Sequence, residues 1–331
     1  MSGETVKDRM TSAANDRIIR WSMLIVGVQS GKGSIVENKW IKHITSVYHF
    51  LTCCVLLANV VVEVSVKGSR IFSMGNITMT LIYINYLVFI VQVTCCSWIS
   101  FYLCHRDSGY LEYYTQLQKI VESNKEMQLK LKSLKVRAMT YGVVIAAWML
   151  ALTLIIIYTV NIVTHAISDP NGLENIKRPA EMLVTVTYLI QVLHWSMQTA
   201  HVATISITLW QIGEAFNNNF KKECESSASL VLQNLINYRV MHLSWCRLVS
   251  TANKRLRWTI AVLLTGSCAM GLISLYIIAN TDWSLYGLVF LSQILSFVVP
   301  VFGVMIIIII LAEQVITTVS LQTLPCYYCS S

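Results

Sequence analysis

Charge is what this chain has least of. Of its 331 residues only 13% are Asp, Glu, Lys or Arg, against 55% that are hydrophobic, about half the charged share usual in a soluble globular protein. That shortage excludes a cytosolic enzyme, a disordered chain and a nucleic-acid module. Proline is scarce as well: there are four, and only Pro300 falls inside a long apolar run. A small-molecule transporter would show internal repeats and helices broken by Gly or Pro near mid-membrane, and no repeat is visible. No glycine-rich phosphate loop, paired-carboxylate arrangement or serine-histidine-acid set occurs at workable spacing. The chain is therefore read as having no enzymatic activity and no cofactor. It also lacks an Asp-Arg-Tyr after a third span and an Asn-Pro-x-x-Tyr.

What is present is hydrocarbon-soluble helix. Six stretches are long enough to cross about 30 Å of hydrocarbon, which takes roughly 20 helical residues. They run near 43–66, 77–104, 138–163, 182–211, 259–280 and 285–312. The second and fourth exceed that length, so they tilt or continue into water as helix. The fold class expected is an all-α polytopic membrane protein. A short apolar patch, Trp21–Val28, follows Arg17 and Arg20. It is too short to span and has no small-residue cleavage site, so it reads as an interfacial helix and not a signal peptide.

The net charge of +8 becomes an orientation once it is distributed along the chain. Residues 1–42 hold seven Lys and Arg, the loop 105–137 seven and the loop 212–258 seven, whereas the connections around Lys67 and Lys177 hold two each and the tail 313–331 none. Under the positive-inside rule the rich segments are cytoplasmic, which puts the N-terminus inside. That argues against a G-protein-coupled receptor, whose N-terminus is outside. The basic excess is then topology and contact with anionic membrane lipid, with no nucleic-acid partner. A single sequon, Asn76-Ile77-Thr78, falls in the first loop expected outside.

Both long basic loops carry helical stripes. In the first, Leu117, Val121, Leu131 and Leu134 recur among Lys and Glu. In the second, Leu232, Ile236, Val240 and Leu243 form one stripe, followed by Leu248, Ala252 and Leu256. Such stripes pack on each other, on the membrane surface or against other subunits.

Polar residues inside the spans are fewer and more telling. Gln191, His194, Gln198 and His201 fall at steps of three and four, hence on one helical face. Four such side chains do not point at lipid. They either make interhelical hydrogen bonds, worth about 0.6–2 kcal/mol each, or form the polar wall of a ligand pocket or water-filled path. A metal site fits less well, because His194 and His201 lie two turns apart without a carboxylate. Glu63, near the end of the first span, is expected to snorkel or to pair with Lys67. The adjacent pairs Cys53-Cys54 and Cys95-Cys96 read as small packing residues and not disulfides. Cys326 and Cys329 have zinc or redox spacing, but one pair supplies too few ligands.

The segment Tyr238–Leu256, YRVMHLSWCRLVSTANKRL, places His242, Leu243 and Asn253 on a cytoplasmic helix just before the fifth span. It resembles the segment before the fifth helix of insect gustatory receptors and their gustatory-receptor-like relatives. The inside N-terminus, the long basic second intracellular loop, the aromatic start of the sixth span (Trp283, Tyr286) and the Cys- and Met-rich spans are similar in kind. The likeness covers roughly residues 40–314. The family's most recognisable mark, Thr-Tyr followed by an apolar run and Gln-Phe in a seventh helix, is absent. Val315–Leu324 would reach about 15 Å, half of a span, before Pro325.

The resemblance implies a chemosensory, taste-type receptor subunit of a ligand-gated non-selective cation channel in the plasma membrane. It implies a homo- or hetero-tetramer with related subunits, packed through a helix that holds Leu232, Ile236, Val240, Leu243 and Asn253. In the family the seventh helix lines the pore, so its absence raises the expectation that this chain does not conduct alone. A truncated or alternatively spliced end would explain it, as would a shortened subunit. The alternatives are a non-conducting accessory subunit or a small-molecule membrane transporter. The family's pocket lies in the outer halves of the spans. On this chain those halves hold Tyr83 and Tyr86, Tyr158 and Asn161, Tyr188, Gln191 and His194, Tyr276, Tyr286 and Gln293. Aromatic rings with a few polar tips suit a small organic ligand, although tyrosines near span ends, such as Tyr188, Tyr276 and Tyr286, also serve as interfacial anchors.

Overall fold

The structure, a computed structural model, describes residues 39–68, 77–106, 110–123, 174–226, 228–280 and 313. Every element among them is helical, and no strand occurs among the described residues. Helix α1, Lys39–Val62, runs on into a π-helical turn, Glu63–Gly68. Helix α2 is Ile77–Arg106, α3 is Leu111–Ser123, α4 is Glu174–Ser226 and α5 is Ala228–Asn280. Neither Gly nor Pro interrupts α1 or α2, so nothing breaks their backbone ladders, as spanning hydrocarbon requires.

Among the described residues three helices are long and apolar enough to cross a membrane: Lys39–Ser65, Thr80–Arg106 and Ile236–Asn280. The fourth predicted span, 182–211, lies within α4 but is not one of these three. Its Gln and His residues lower the hydropathy of any window through it.

Side-chain contacts give the directions. Ser46 meets His105, His49 and Phe50 meet Phe101, and Tyr83 meets Glu63, so α1 and α2 are antiparallel. Asn85 reaches Ser274 and Gln92 reaches Leu263, which makes α5 antiparallel to α2. Phe220 meets Tyr238, Phe216 meets His242 and Leu209 meets Trp245, so α4 and α5 form an antiparallel hairpin about residue 227. It follows that α2 and α4 run parallel. One end of the bundle gathers Lys39, Lys42, Arg106, Lys254, Arg255 and Arg257, and is called the basic end below.

Helices α4 and α5 are 53 residues each, about 80 Å long. The hydrocarbon accounts for about 30 Å, so the hairpin projects well past the basic end. Helix α3 packs on α5 there, burying Tyr113, Leu117 and Ile120. Arg255 donates to Glu112 at 3.0 Å and Thr251 donates to Gln116 at 3.2 Å. Leu117 of the first basic loop therefore joins this chain's own core, as do Leu248, Ala252 and Leu256 of the second. The core continues through the spans with Leu56, Ile90, Trp195, Ile205, Leu263 and Met270. Helix α1 covers it on one side and exposes Ile44, Leu51, Val55 and Val61, as a span bordering lipid does.

Of the two expectations for Glu63, pairing with Lys67 concerns a side chain outside the described set, and snorkelling is not what the structure shows. Glu63 is buried, its side chain 1% exposed. It opens the π-helical turn, and its carbonyl accepts the Tyr83 hydroxyl at 2.5 Å. That bond ties the end of α1 to α2 and holds residue 63 inside the bundle.

Candidate functional site

The polar face of α4 turns inward. Gln191, His194, Gln198 and His201 are 0, 2, 3 and 4% exposed. Part of this stripe meets α2. Ser97 of α2 is the meeting point: its hydroxyl lies 3.3 Å from His194 Nδ1 and accepts from Gln198 Nε2 at 3.4 Å. Trp195 turns its ring toward Phe89 at 6.3 Å. His201 lies deeper toward the basic end, edge-on to the Tyr110 ring at 4.6 Å.

The α2–α5 seam is polar too. Asn85 Nδ2 donates to Ser274 Oγ at 2.9 Å, and Gln92 Nε2 donates to the Leu263 carbonyl at 2.8 Å. Gln92 lies across Gly266, where an added Cβ would come within 2.7 Å of its Cδ. A small residue at this crossing lets the helix backbones approach, as packing within membranes demands.

Of the expected ligand-facing residues, the structure places Tyr83, Tyr86, Gln191 and His194. Tyr83 is buried and committed to the Glu63 carbonyl. Tyr86 is half-buried against the core. Gln191 is fully buried, and neither atom of its amide has a hydrogen-bond partner. His194 binds Ser97. Tyr188 is on α4, its side chain outside the described set; Tyr158, Asn161 and Gln293 lie outside the described residues altogether. Asn85 and Gln92 were not singled out by sequence reasoning. Their seven-residue spacing, which puts both on one face of an apolar helix, was the available signal.

On the expected packing helix, Ile236 is 75% exposed and Val240, Leu243 and Asn253 are also exposed; Leu232 is on the same helix, its side chain outside the described set. The described cysteines, Cys53, Cys54, Cys95 and Cys96 among them, are free thiols. No group of three or more His, Cys, Asp or Glu able to hold a metal ion occurs among the described residues. Below the spans, burial pushes the Tyr110 and Tyr113 phenols above the ordinary tyrosine value near 10, so both stay neutral. The arrangement offers neutral hydrogen-bonding groups on apolar walls.

A search among solved structures finds the insect olfactory receptor OR5 from Machilis hrabei, with a TM-score of 0.68 over 94% of this chain and 82% of that one, at 12% identity. The two share a fold. No protein-family profile and no curated protein matches the sequence. The likeness therefore lies in the path of the helices, and the site residues stand on their own geometry.

Proposed function

We propose that the chain is a chemosensory receptor subunit of gustatory-receptor type, acting as or within a ligand-gated cation channel. The observation that carries this is the fold it shares with an insect olfactory receptor over 94% of its length. The resemblance of Tyr238–Leu256 to gustatory receptors supports the finer assignment. The distribution of basic residues supports a plasma-membrane protein with a cytoplasmic N-terminus. A small organic ligand would bind among Tyr86, Gln191 and His194, with Tyr158, Asn161, Tyr188 and Gln293 as the further candidates that the sequence supplies. Its differential affinity for open and closed forms would shift the gating equilibrium. The buried, unpartnered Gln191 amide is the group best placed to recognise it, because an unmet buried donor and acceptor favour a guest that supplies both.

Co-expression with a channel-forming relative is expected to give currents evoked by small organic molecules that the relative alone does not show. Gln191→Leu is expected to raise the half-maximal concentration about tenfold, the equivalent of one hydrogen bond of about 1.4 kcal/mol, with surface expression unchanged. A chain that reaches the surface and co-assembles, yet alters no response to a broad panel, overturns the reading.

The exposed stripe Ile236, Val240 and Leu243 is proposed as the contact with related subunits in a homo- or hetero-tetramer. Val240→Asp, on the helix surface, should leave thermal stability within about 0.5 kcal/mol while shifting the detergent-purified protein from oligomer to monomer in size-exclusion chromatography. Persistence of the oligomer would count against this contact.

A further inference from the structure

Among the described helices, α4 carries the most buried polar atoms left unsatisfied by packing. In the seam between α2 and α4, Ser97 sits between His194 and Gln198. Because α2 and α4 run parallel, Ser100, one turn further along α2, comes level with Gln198 and His201. At that level Ser100 Oγ, Gln198 Oε1 and both ring nitrogens of His201 are buried without a protein partner. The aromatic rings of Tyr110 and Tyr114 close the seam toward the basic end, 4.6 and 6.3 Å from the His201 ring. Apolar side chains flank it, Ile205 one turn beyond His201 on α4 among them.

Leaving a buried donor or acceptor unpaired forfeits its hydration without a replacement bond, and roughly nine in ten such groups in folded proteins find a partner. Four of them in one seam, on three side chains, is a strong demand for something that both donates and accepts. A neutral imidazole needs one donor and one acceptor, the Gln198 oxygen needs a donor, and the Ser100 hydroxyl takes either. Water satisfies all of these at once, and a buried water typically makes about three hydrogen bonds to groups of this kind.

We propose that the basic-end half of the α2–α4 seam is a water-binding site formed by Ser100, Gln198 and His201 and capped by Tyr110 and Tyr114. It is separate from the ligand-facing residues nearer the opposite end, and it does not depend on what, if anything, binds there. Bridging waters exchange partners readily, so this seam is also where α4 can shift against α2 without rupturing direct bonds.

Thiol chemistry tests the proposal. A thiol reacts as the thiolate, which forms only where water or a counter-charge stabilises it. Ser100→Cys is nearly isosteric, and Met270→Cys, at a fully buried apolar position on α5, supplies a dry control in the same helix bundle. With a small methylthiolating thiosulfonate, which transfers CH3S to the thiolate and releases a sulfinate, and mass spectrometry of the relevant peptides, Ser100→Cys is expected to react at least tenfold faster than Met270→Cys. His201→Phe added to Ser100→Cys should fill the seam with carbon and slow that reaction at least fivefold. Equal rates at the two positions would overturn the proposal. So would protection of Ser100→Cys that disappears on exhaustive dialysis, because a small polar solute and not water would then be the guest.

Discussion

Gly266→Leu is expected to lower the folded-to-unfolded ratio of the purified protein about 5- to 150-fold. Position 266 is where α5 crosses α2, and even a single added carbon would come within 2.7 Å of Gln92 Cδ, 2.8 Å of Nε2 and 2.9 Å of Cγ. Something must shift. Gln92 is flexible, but it is held by donating to the Leu263 carbonyl at 2.8 Å and the Val262 carbonyl at 3.4 Å. An alanine would push it aside and forfeit those bonds, a loss of about 0.6–2 kcal/mol. A leucine cannot be accommodated that way, because it brings three more carbons into a space that the Gln92 side chain already fills, and overpacking of this kind costs about 1–3 kcal/mol or more. Thermal unfolding followed by fluorescence-detected size-exclusion chromatography measures it. The mechanism is checked by Gly266→Ala with Gln92→Ala, which removes the obstacle. The double variant should be less destabilised than the sum of the two singles, and strict additivity would show that the two residues do not oppose each other.

This crossing also shows where the sequence was legible and where it was not. The helical character of α1, α2 and the far part of α5 follows from apolar length alone. So does the inward turn of the α4 stripe, because residues 191, 194, 198 and 201 share a face and lipid rejects them. The hairpin register was not legible, nor was the docking of Gln92 on Gly266. The Trp245–Leu209 contact of the hairpin joins residues 36 positions apart and the Gln92–Leu263 contact residues 171 apart, and no local period announces a distant partner. The stripes of the basic loops were half legible. Periodicity identified Leu117, Leu248 and Val240 equally as apolar, but the structure buries the first two in this chain and leaves the third exposed. The burial of Glu63 was not legible, because its position near a span end suggested water, whereas the π-helical turn and the Tyr83 hydroxyl keep that end inside the bundle.

Trp245→Ala should have the largest effect on the projecting hairpin. The indole is 1% exposed and fills the space between α4 and α5 beyond the spans, beside the His242 ring at 6.2 Å. Its N–H donates to the Leu209 carbonyl at 3.1 Å. Outside hydrocarbon the hydrophobic effect acts in full, so truncation costs the transfer of a large ring plus the cavity left behind, about 3–5 kcal/mol. Trp245→Phe keeps most of the volume and isolates the hydrogen bond, with an expected loss of about 1 kcal/mol. The two variants should also differ in function, because the hairpin carries Ile236, Val240 and Leu243. If those residues hold subunits together, loosening the hairpin with Trp245→Ala should expose it to limited proteolysis between residues 209 and 245 and reduce the oligomer. Trp245→Phe should leave both nearly unchanged. An alanine variant whose hairpin resists protease as well as the parent chain would mean that α4 and α5 are held together here by the flanking Phe216, Phe220 and Tyr238 rings and not by the indole.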